Sequence, residues 1–290
     1  MKKRMGPYLV TAPALVFLAL MALYPLIFLL KISFQDYSPI NFENPYVGFD
    51  NYATLLADSS FWNSIKVTAI FVVSAVSIEL VLGLALALIL NQKIKAGKMF
   101  QTLIMLPIFM APTVVGLMFR FMMNEQYGVI NYFAEVLGFD RTAWLSDPTL
   151  ALPALIITDI WQWTPFMIII LLAGLQGISD EPLEAAQIDG ATKWQALRYV
   201  TIPMLSQVII IAVLLRTIDA FRLYDSIFMM TQGGPVNVTS TLSWIVFDKG
   251  FRFLDFGYGA AIAVVMLIIV LILLTLFLKR FSLFEESGEK

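Results

Sequence analysis

The chain has 290 residues, of which 59% are hydrophobic and only 14% charged. A soluble domain averages about 25% charged residues, and a water-soluble fold of this size cannot hide so much apolar surface. The composition is therefore that of a multi-pass membrane protein. Histidine and cysteine are absent, which excludes zinc sites built on them, thiol and Ser-His nucleophiles, iron–sulfur clusters, disulfides and histidine proton relays. No metal site is expected. The formal net charge of −2 decides little, because charge in a membrane protein acts by location.

A helix needs about 20 mostly apolar residues to cross the hydrocarbon. Six stretches qualify in chain order: Tyr8 to Leu30, Val67 to Leu90, Phe100 to Phe119, Leu150 to Leu175, Gln207 to Met230 and Gly257 to Leu278. The expected fold is all-α, with six transmembrane helices. The first stretch follows a basic start, as a signal peptide does, but its 23 uncharged residues exceed the about 7–15 of a cleaved signal core and favour an uncleaved anchor. Basic residues orient the spans. Lys2, Lys3, Arg4, Lys93, Lys95, Lys98, Lys193, Arg198, Lys279, Arg280 and Lys290 are eleven of the nineteen, and all fall on one side. That side is expected to be cytoplasmic, with both termini on it. The opposite loops are longer and mix both signs.

Two spans carry a lone acid. Glu79 stands beside Ser74 and Ser77, and is expected to pair with a buried Arg or a backbone group, as intramembrane charges usually do. Asp159 stands near Trp161 and either meets a cavity or caps a kink before Pro165. The fourteen methionines and twenty-three phenylalanines are read as packing or lipid-facing residues.

Residues 176–204 read QGISDEPLEAAQIDGATKWQALRYVTIPM. Ser179 or Asp180 can cap a first short helix, and Pro182 suits its first turn. Gly190 ends it, because glycine takes the left-handed conformation of a helix stop. Thr192 starts a second helix and forms a capping box with Gln195. Pro203 is expected to close that helix and open the fifth span. Leu183, Ala186 and Gly190 share a narrow face of small side chains, with Glu184 and Asp189 as anionic contacts. Such an elbow either docks a cytoplasmic partner or packs on its own bundle.

Glu184-Ala185-Ala186, three residues, Gly190, nine residues and Val200-Thr201-Ile202-Pro203 resemble the EAA loop of permease subunits of bacterial and archaeal ABC importers. Val200 and Ile202 stand where that pattern has Ile and Leu. The string EAAQIDGATKWQ is similar to the carbohydrate-uptake permeases of the maltose-transporter group. Further likenesses run along the whole chain: Gly48-Phe49-Asp50-Asn51-Tyr52, Leu106-Pro107, Gly128-Val129-Ile130-Asn131, Trp161 to Phe166, and Thr231-Gln232-Gly233-Gly234-Pro235. The resemblance implies a type I ABC importer permease fold in the cytoplasmic (inner) membrane of a bacterium or archaeon. It implies that Glu184, Ala185, Ala186 and Gly190 couple to a cytoplasmic ATPase. No P-loop motif occurs in the chain, so the ATPase is expected to be a separate polypeptide. This chain is then not an enzyme and binds no cofactor, ATP and Mg being held by the partner. Expected partners are a second homologous permease, an ATPase dimer, an extracytoplasmic solute-binding protein, membrane lipid and a carbohydrate or polyol, with no nucleic acid. The implied domains are 1–63 (first span and first outer loop), 64–280 (permease core with the coupling loop) and 281–290 (a cytoplasmic tail).

In the fifth span Arg216, Asp219, Arg222 and Asp225 alternate in sign every three residues. Each isolated charge at membrane depth costs about 2.5–3.5 kcal/mol on insertion scales. Such neighbours can pair along one α-helix, or stack in a tighter 3₁₀ stretch. One reading is a self-neutralising ladder that orients the helix. The other is a polar lining for a translocation cavity, where a sugar needs hydrogen-bonding groups and an aromatic face. Phe221 and Tyr224 lie beside the ladder, and Trp161, Trp163 and Phe166 could add aromatic faces. The resemblance places this stretch along the transport pathway between two permeases, with Arg216 and Asp219 leading and Arg222, Tyr224 and Asp225 beside them. Two other classes fit the residues. A stand-alone secondary transporter would use Glu79, Asp159 and the ladder as an ion relay, and a polytopic enzyme would need Ser–Lys chemistry.

Overall fold

The computed structural model describes residues 6–40, 43–92 and 97–288. The basic residues Lys2, Lys3, Arg4, Lys93, Lys95 and Lys290, which carry much of the orientation argument, lie outside the described residues. The chain is almost entirely helical: α1 (Gly6–Ile32), α2 (Asp50–Ala57), α3 (Ser59–Leu90), α4 (Gly97–Met105), α5 (Pro112–Met122), α6 (Val129–Val136), α7 (Ala151–Gln176), α8 (Glu181–Ile188), α9 (Lys193–Ala196), α10 (Ile202–Ala220), α11 (Asp225–Met230), α12 (Leu242–Phe247) and α13 (Phe256–Gly288). Among the described residues, five helices are long and apolar enough to cross a membrane, and a sixth crossing exists only if a broken pair is counted as one span. The continuous five lie where the first, second, fourth, fifth and sixth spans were expected.

The third span is not a straight helix. Met99–Phe109 and Pro112–Met122 meet at a 96° bend. The cause is local. Pro107 sits in a 3₁₀ turn, Leu106–Phe109. Ala111 precedes Pro112 and is extended, with ψ 134°, as steric conflict with a following proline ring requires. The break exposes carbonyls, and Gln162 on α7 donates from Nε2 to the Met110 carbonyl at 3.0 Å.

The expected break at Pro203 is also corrected. One helix runs from Lys193 to Ala220. The proline ring needs room at the carbonyl four residues back and offers no N–H. A wide π turn at Leu197–Thr201 accommodates it, and the Thr201 hydroxyl donates to the Ala196 carbonyl at 3.4 Å.

The fifth span ends earlier than expected. The helix stops at Ala220, and α11 begins at Asp225. The freed carbonyls of Phe221 and Leu223 accept hydrogen bonds from Ser243 Oγ at 2.9 Å and Thr241 Oγ1 at 3.1 Å. Irregular backbone at membrane depth requires such internal partners.

The chain divides into two compact units. The first comprises Met1–Trp62 and Ile245–Ile268. In it the Asn51 amide donates to the carbonyls of Ser33 and Gln35, both at 2.9 Å, which ties the GFDNY segment to the end of α1. The Tyr258 hydroxyl donates to Asp58 at 2.9 Å. Burial pushes the Asp58 carboxyl up, but the Ser60 amide, this hydroxyl and nearby Lys249 together hold it below the ordinary carboxylate value. The second unit, Asn63–Trp244 with Ile269–Lys290, holds α10 against α7 and α11 against α5. Its core includes Phe71, Val115, Leu155, Met167, Ile168 and Leu205.

Close approach of α3 to α7 depends on Gly83, where a Cβ would lie 2.5 Å from the Met167 Cβ. Gly83→Val is expected to lower the thermal midpoint of the solubilised protein by the equivalent of about 1–3 kcal/mol of overpacking. An unchanged midpoint would show that the two helices do not touch there.

Candidate coupling elbow and intramembrane charge cluster

The elbow after α7 is built by local chemistry. Asp180 occupies the N-cap of α8, but its side chain makes no capping bond, contrary to expectation. Its backbone is helical (φ −73°, ψ −22°), whereas a capping side chain reaches the first-turn amides from an extended backbone. Pro182 sits in the first turn as expected. Gly190 adopts φ +81°. The Ala191 amide donates to the Ala186 carbonyl at 2.9 Å and the Gly190 amide to the Gln187 carbonyl at 3.1 Å, the paired closure that satisfies a helix C-terminus. The Thr192–Gln195 capping box forms in both directions, at 2.8 and 3.3 Å.

No residue of α8 is buried. Glu184, Ala185 and Gly190 are exposed and Ala186 is half-buried. Ile188 is 86% exposed, Trp194 67% and Tyr199 69%. An elbow packed on its own bundle would hide such side chains. The two-helix elbow thus presents an open apolar surface, a feature common to interaction sites.

The second feature lies inside the helices. Arg216 on α10 is 1% exposed, Glu79 on α3 0% and Asp159 on α7 3%. Arg216 Nε donates to Glu79 Oε2 at 2.7 Å, and Nη2 donates to Glu79 Oε1 at 3.0 Å. Nη2 also donates to Asp159 Oδ2. Nη1 donates to Asp219 Oδ2 at 3.2 Å. The guanidinium carbon lies 5.2 Å from the centre of the Trp163 ring. The planar fork of arginine suits this bidentate pairing, which lysine cannot reproduce. Among the described residues, no buried side-chain polar atom lacks a hydrogen-bond partner.

Glu79 thus pairs with a buried arginine, as expected. Of the two expectations for Asp159, the cavity holds: it joins the same arginine and borders the small cavity beside it. The ladder itself is divided. Arg216 and Asp219 pair at the end of α10, Arg222 falls in the connecting turn and Asp225 opens α11. Neither the continuous α-helical nor the 3₁₀ arrangement forms, because the helix stops at Ala220. Asp159, Trp163, Arg216, Asp219, Arg222, Tyr224 and Asp225 nevertheless line one cavity of about 60 Å³. Small-molecule sites run to about 300–1,000 Å³, so the space within this single chain is small. Trp161 lies elsewhere, in an apolar groove beside the broken third span. Phe221 is buried.

Asn131, part of the Gly128–Asn131 motif, organises the loops that flank α6. It is 2% exposed and donates from Nδ2 to the Asn124, Glu125 and Thr142 carbonyls. An asparagine among apolar neighbours in the amphipathic α6 was the available signal.

Comparison with known proteins agrees with this architecture. Residues 79–282 match the family described as binding-protein-dependent transport system inner membrane component. A trehalose/maltose transport system permease protein of Thermococcus litoralis is 36% identical over 273 residues, covering 94% of this chain and 92% of that protein. A probable ABC transporter permease protein of Sinorhizobium fredii is 39% identical over 255 residues, covering 87% and 82%. A chain from the crystal structure of a bacterial ABC transporter involved in the import of the acidic polysaccharide alginate superimposes with a TM-score of 0.85 at 22% identity, covering 97% of this chain and 96% of that one. At that identity the likeness establishes the fold. Fold, apolar helices and exposed elbow together define an all-α, multi-pass membrane permease. The chain belongs to the family of binding-protein-dependent transport system inner membrane components, and is an ABC transporter permease.

The cluster carries a direct test. Breaking a buried ion pair from one side leaves uncompensated charge, at a cost of about 3–5 kcal/mol. Arg216→Leu is expected to lower the thermal midpoint of the solubilised protein sharply. Adding Glu79→Gln and Asp159→Asn to it should recover part of the loss. A single variant that melts like the parent would show that the cluster does not hold these helices.

Proposed function

We propose that the chain is one of two homologous permease subunits of an ATP-driven importer for a sugar or polyol. The unpacked elbow carries this reading. Glu184, Ala185, Ala186 and Gly190 would dock on a separate ATPase dimer, which holds ATP and Mg. This chain supplies no catalytic group and no cofactor of its own. In this reading the side that gathers the basic residues is the cytoplasmic one, with the elbow and both termini on it. An extracytoplasmic solute-binding protein would deliver substrate to the opposite loops.

The sugar class draws support from the relatives. One is a trehalose/maltose transport permease, and a second solved neighbour is an alginate transporter in complex with an alginate pentasaccharide-bound periplasmic protein. Arg216, Asp219, Arg222, Tyr224 and Asp225 would line the pathway once it opens. Because the cavity beside them is small in this chain, substrate passage would need a second conformation, selected by the ATPase state. The pairing of Glu79 and Asp159 with one buried arginine counts against a freely titrating ion relay.

Uptake by membrane vesicles tests the reading. The complete complex should accumulate sugar only with ATP and a binding protein. Accumulation by this chain alone, abolished by an uncoupler, would mean a secondary transporter instead.

A further inference from the structure

The Thr231–Pro235 turn takes no part in the elbow or the arginine cluster. It borders a separate cavity with the loops that flank α6, and Gly128–Asn131 lies behind those loops rather than in the lining. Asn131 braces the cavity. Beyond its three donor contacts, its Oδ1 accepts from the Thr142 amide at 3.2 Å and from Trp144 Nε1 at 3.1 Å. One buried amide therefore fixes the loops on both sides of α6. On α5, Arg120 donates from Nη1 to the Met229 carbonyl at 3.1 Å, which ties the wall to α11. Between these parts and the Thr231–Pro235 turn lies a cavity of about 580 Å³, within the range of small-molecule sites.

The lining has a specific chemistry. Arg120, Asn124, Gln126, Trp144, Ser146 and Thr231 border the space, together with Glu125. Arg120 and Glu125 offset each other, so the cavity selects no net charge. Amide and hydroxyl groups offer both donors and acceptors. Trp144 adds an aromatic body with its N–H already committed to Asn131. Mixed amide and hydroxyl polarity plus one aromatic surface suits a neutral saccharide, whereas an apolar ligand would desolvate these groups without replacing their hydrogen bonds.

Position supplies the second argument. The cavity meets the C-terminal end of α11 at Met230 and Thr231, while the small cavity at Arg216 meets its N-terminal end at Asp225 and Ser226. Six helical residues span about 9 Å. The two polar spaces are thus one short helix apart. The geometry points to an entry subsite for one neutral disaccharide in this cavity, braced by Asn131 and bordered by Trp144, Asn124 and Gln126, from which sugar passes along α11 to the Arg216 cavity. This deepens the sugar-permease reading and rests on it.

The test uses the complete transporter in nanodiscs, with trehalose and maltose as probes in saturation-transfer difference NMR. The parent should transfer saturation to ring protons of at least one sugar. Gln126→Ala, at an exposed position, and Trp144→Ala should each raise Kd about tenfold, equivalent to about 1.4 kcal/mol. Trp144→Phe, which keeps the aromatic body, should fall between. Thermal midpoints measured alongside separate a lost contact from a loosened loop. The proposal fails if the parent transfers saturation to neither sugar, or if all variants keep the parent Kd. It also fails if the variants lose capture of the binding protein while the sugar Kd is unchanged, since the cavity would then be a docking notch. ATP-driven uptake by the parent reports on the permease reading separately, and can persist when the subsite is disproved.

Discussion

A single buried guanidinium organises the interior of this permease. Arg216 holds the carboxylates of Glu79 and Asp159 in space closed to solvent and reaches Asp219 at its edge. None of these charges would be stable in lipid alone. Together they are hydrogen-bonded, and they tie α3, α7 and α10 to one another. Removing any partner leaves the others uncompensated, so the cluster acts as a unit. It sits just before the helix stops at Ala220, where the chain turns through a small polar cavity. A strong internal tie and a weak point in the backbone are therefore adjacent.

The weak points are arranged around that tie. Gln162 on α7 satisfies a carbonyl freed by the break between α4 and α5. Thr241 and Ser243 satisfy those freed between α10 and α11. Side chains thus replace the missing helical bonds, which is how irregular backbone survives at membrane depth. From the elbow, one helix leads to the arginine without interruption. Lys193 to Arg216 spans about 35 Å at helical rise. Its wide turn at Leu197–Thr201 takes up Pro203 without cutting the connection. In the proposed importer, a push on Glu184 to Gly190 would travel along this rod to the cluster and the cavity beside it.

Local chemistry was legible in the sequence. Apolar run lengths located five continuous helices, and Thr192 with Gln195 announced their capping box. The isolation of Glu79 in an apolar run required a buried partner. Its identity was not legible, because Glu79 and Arg216 are distant in sequence and nothing local links them. The i, i+3 spacing of the ladder suggested one continuous helix, yet Phe221 and Leu223 give their carbonyls to hydroxyls beyond α11. Pro203 misled in the opposite direction, since a π turn lets the helix continue. Asn131 showed its polarity but not the loops it holds.

The proposed coupling has a direct mechanical consequence. The chain has no cysteine, so introduced cysteines give specific spin-label sites once those of the partners are removed. Ile188 at the elbow is 86% exposed and Val236, beyond the Thr231–Pro235 turn, is 85% exposed. Double electron–electron resonance between labels at Ile188→Cys and Val236→Cys, in the reconstituted complex, reports whether one end moves with the other. The account predicts a shifted distance distribution when ATP, Mg and the binding protein are added. Identical distributions with and without them would contradict transmission from the elbow to the transport path.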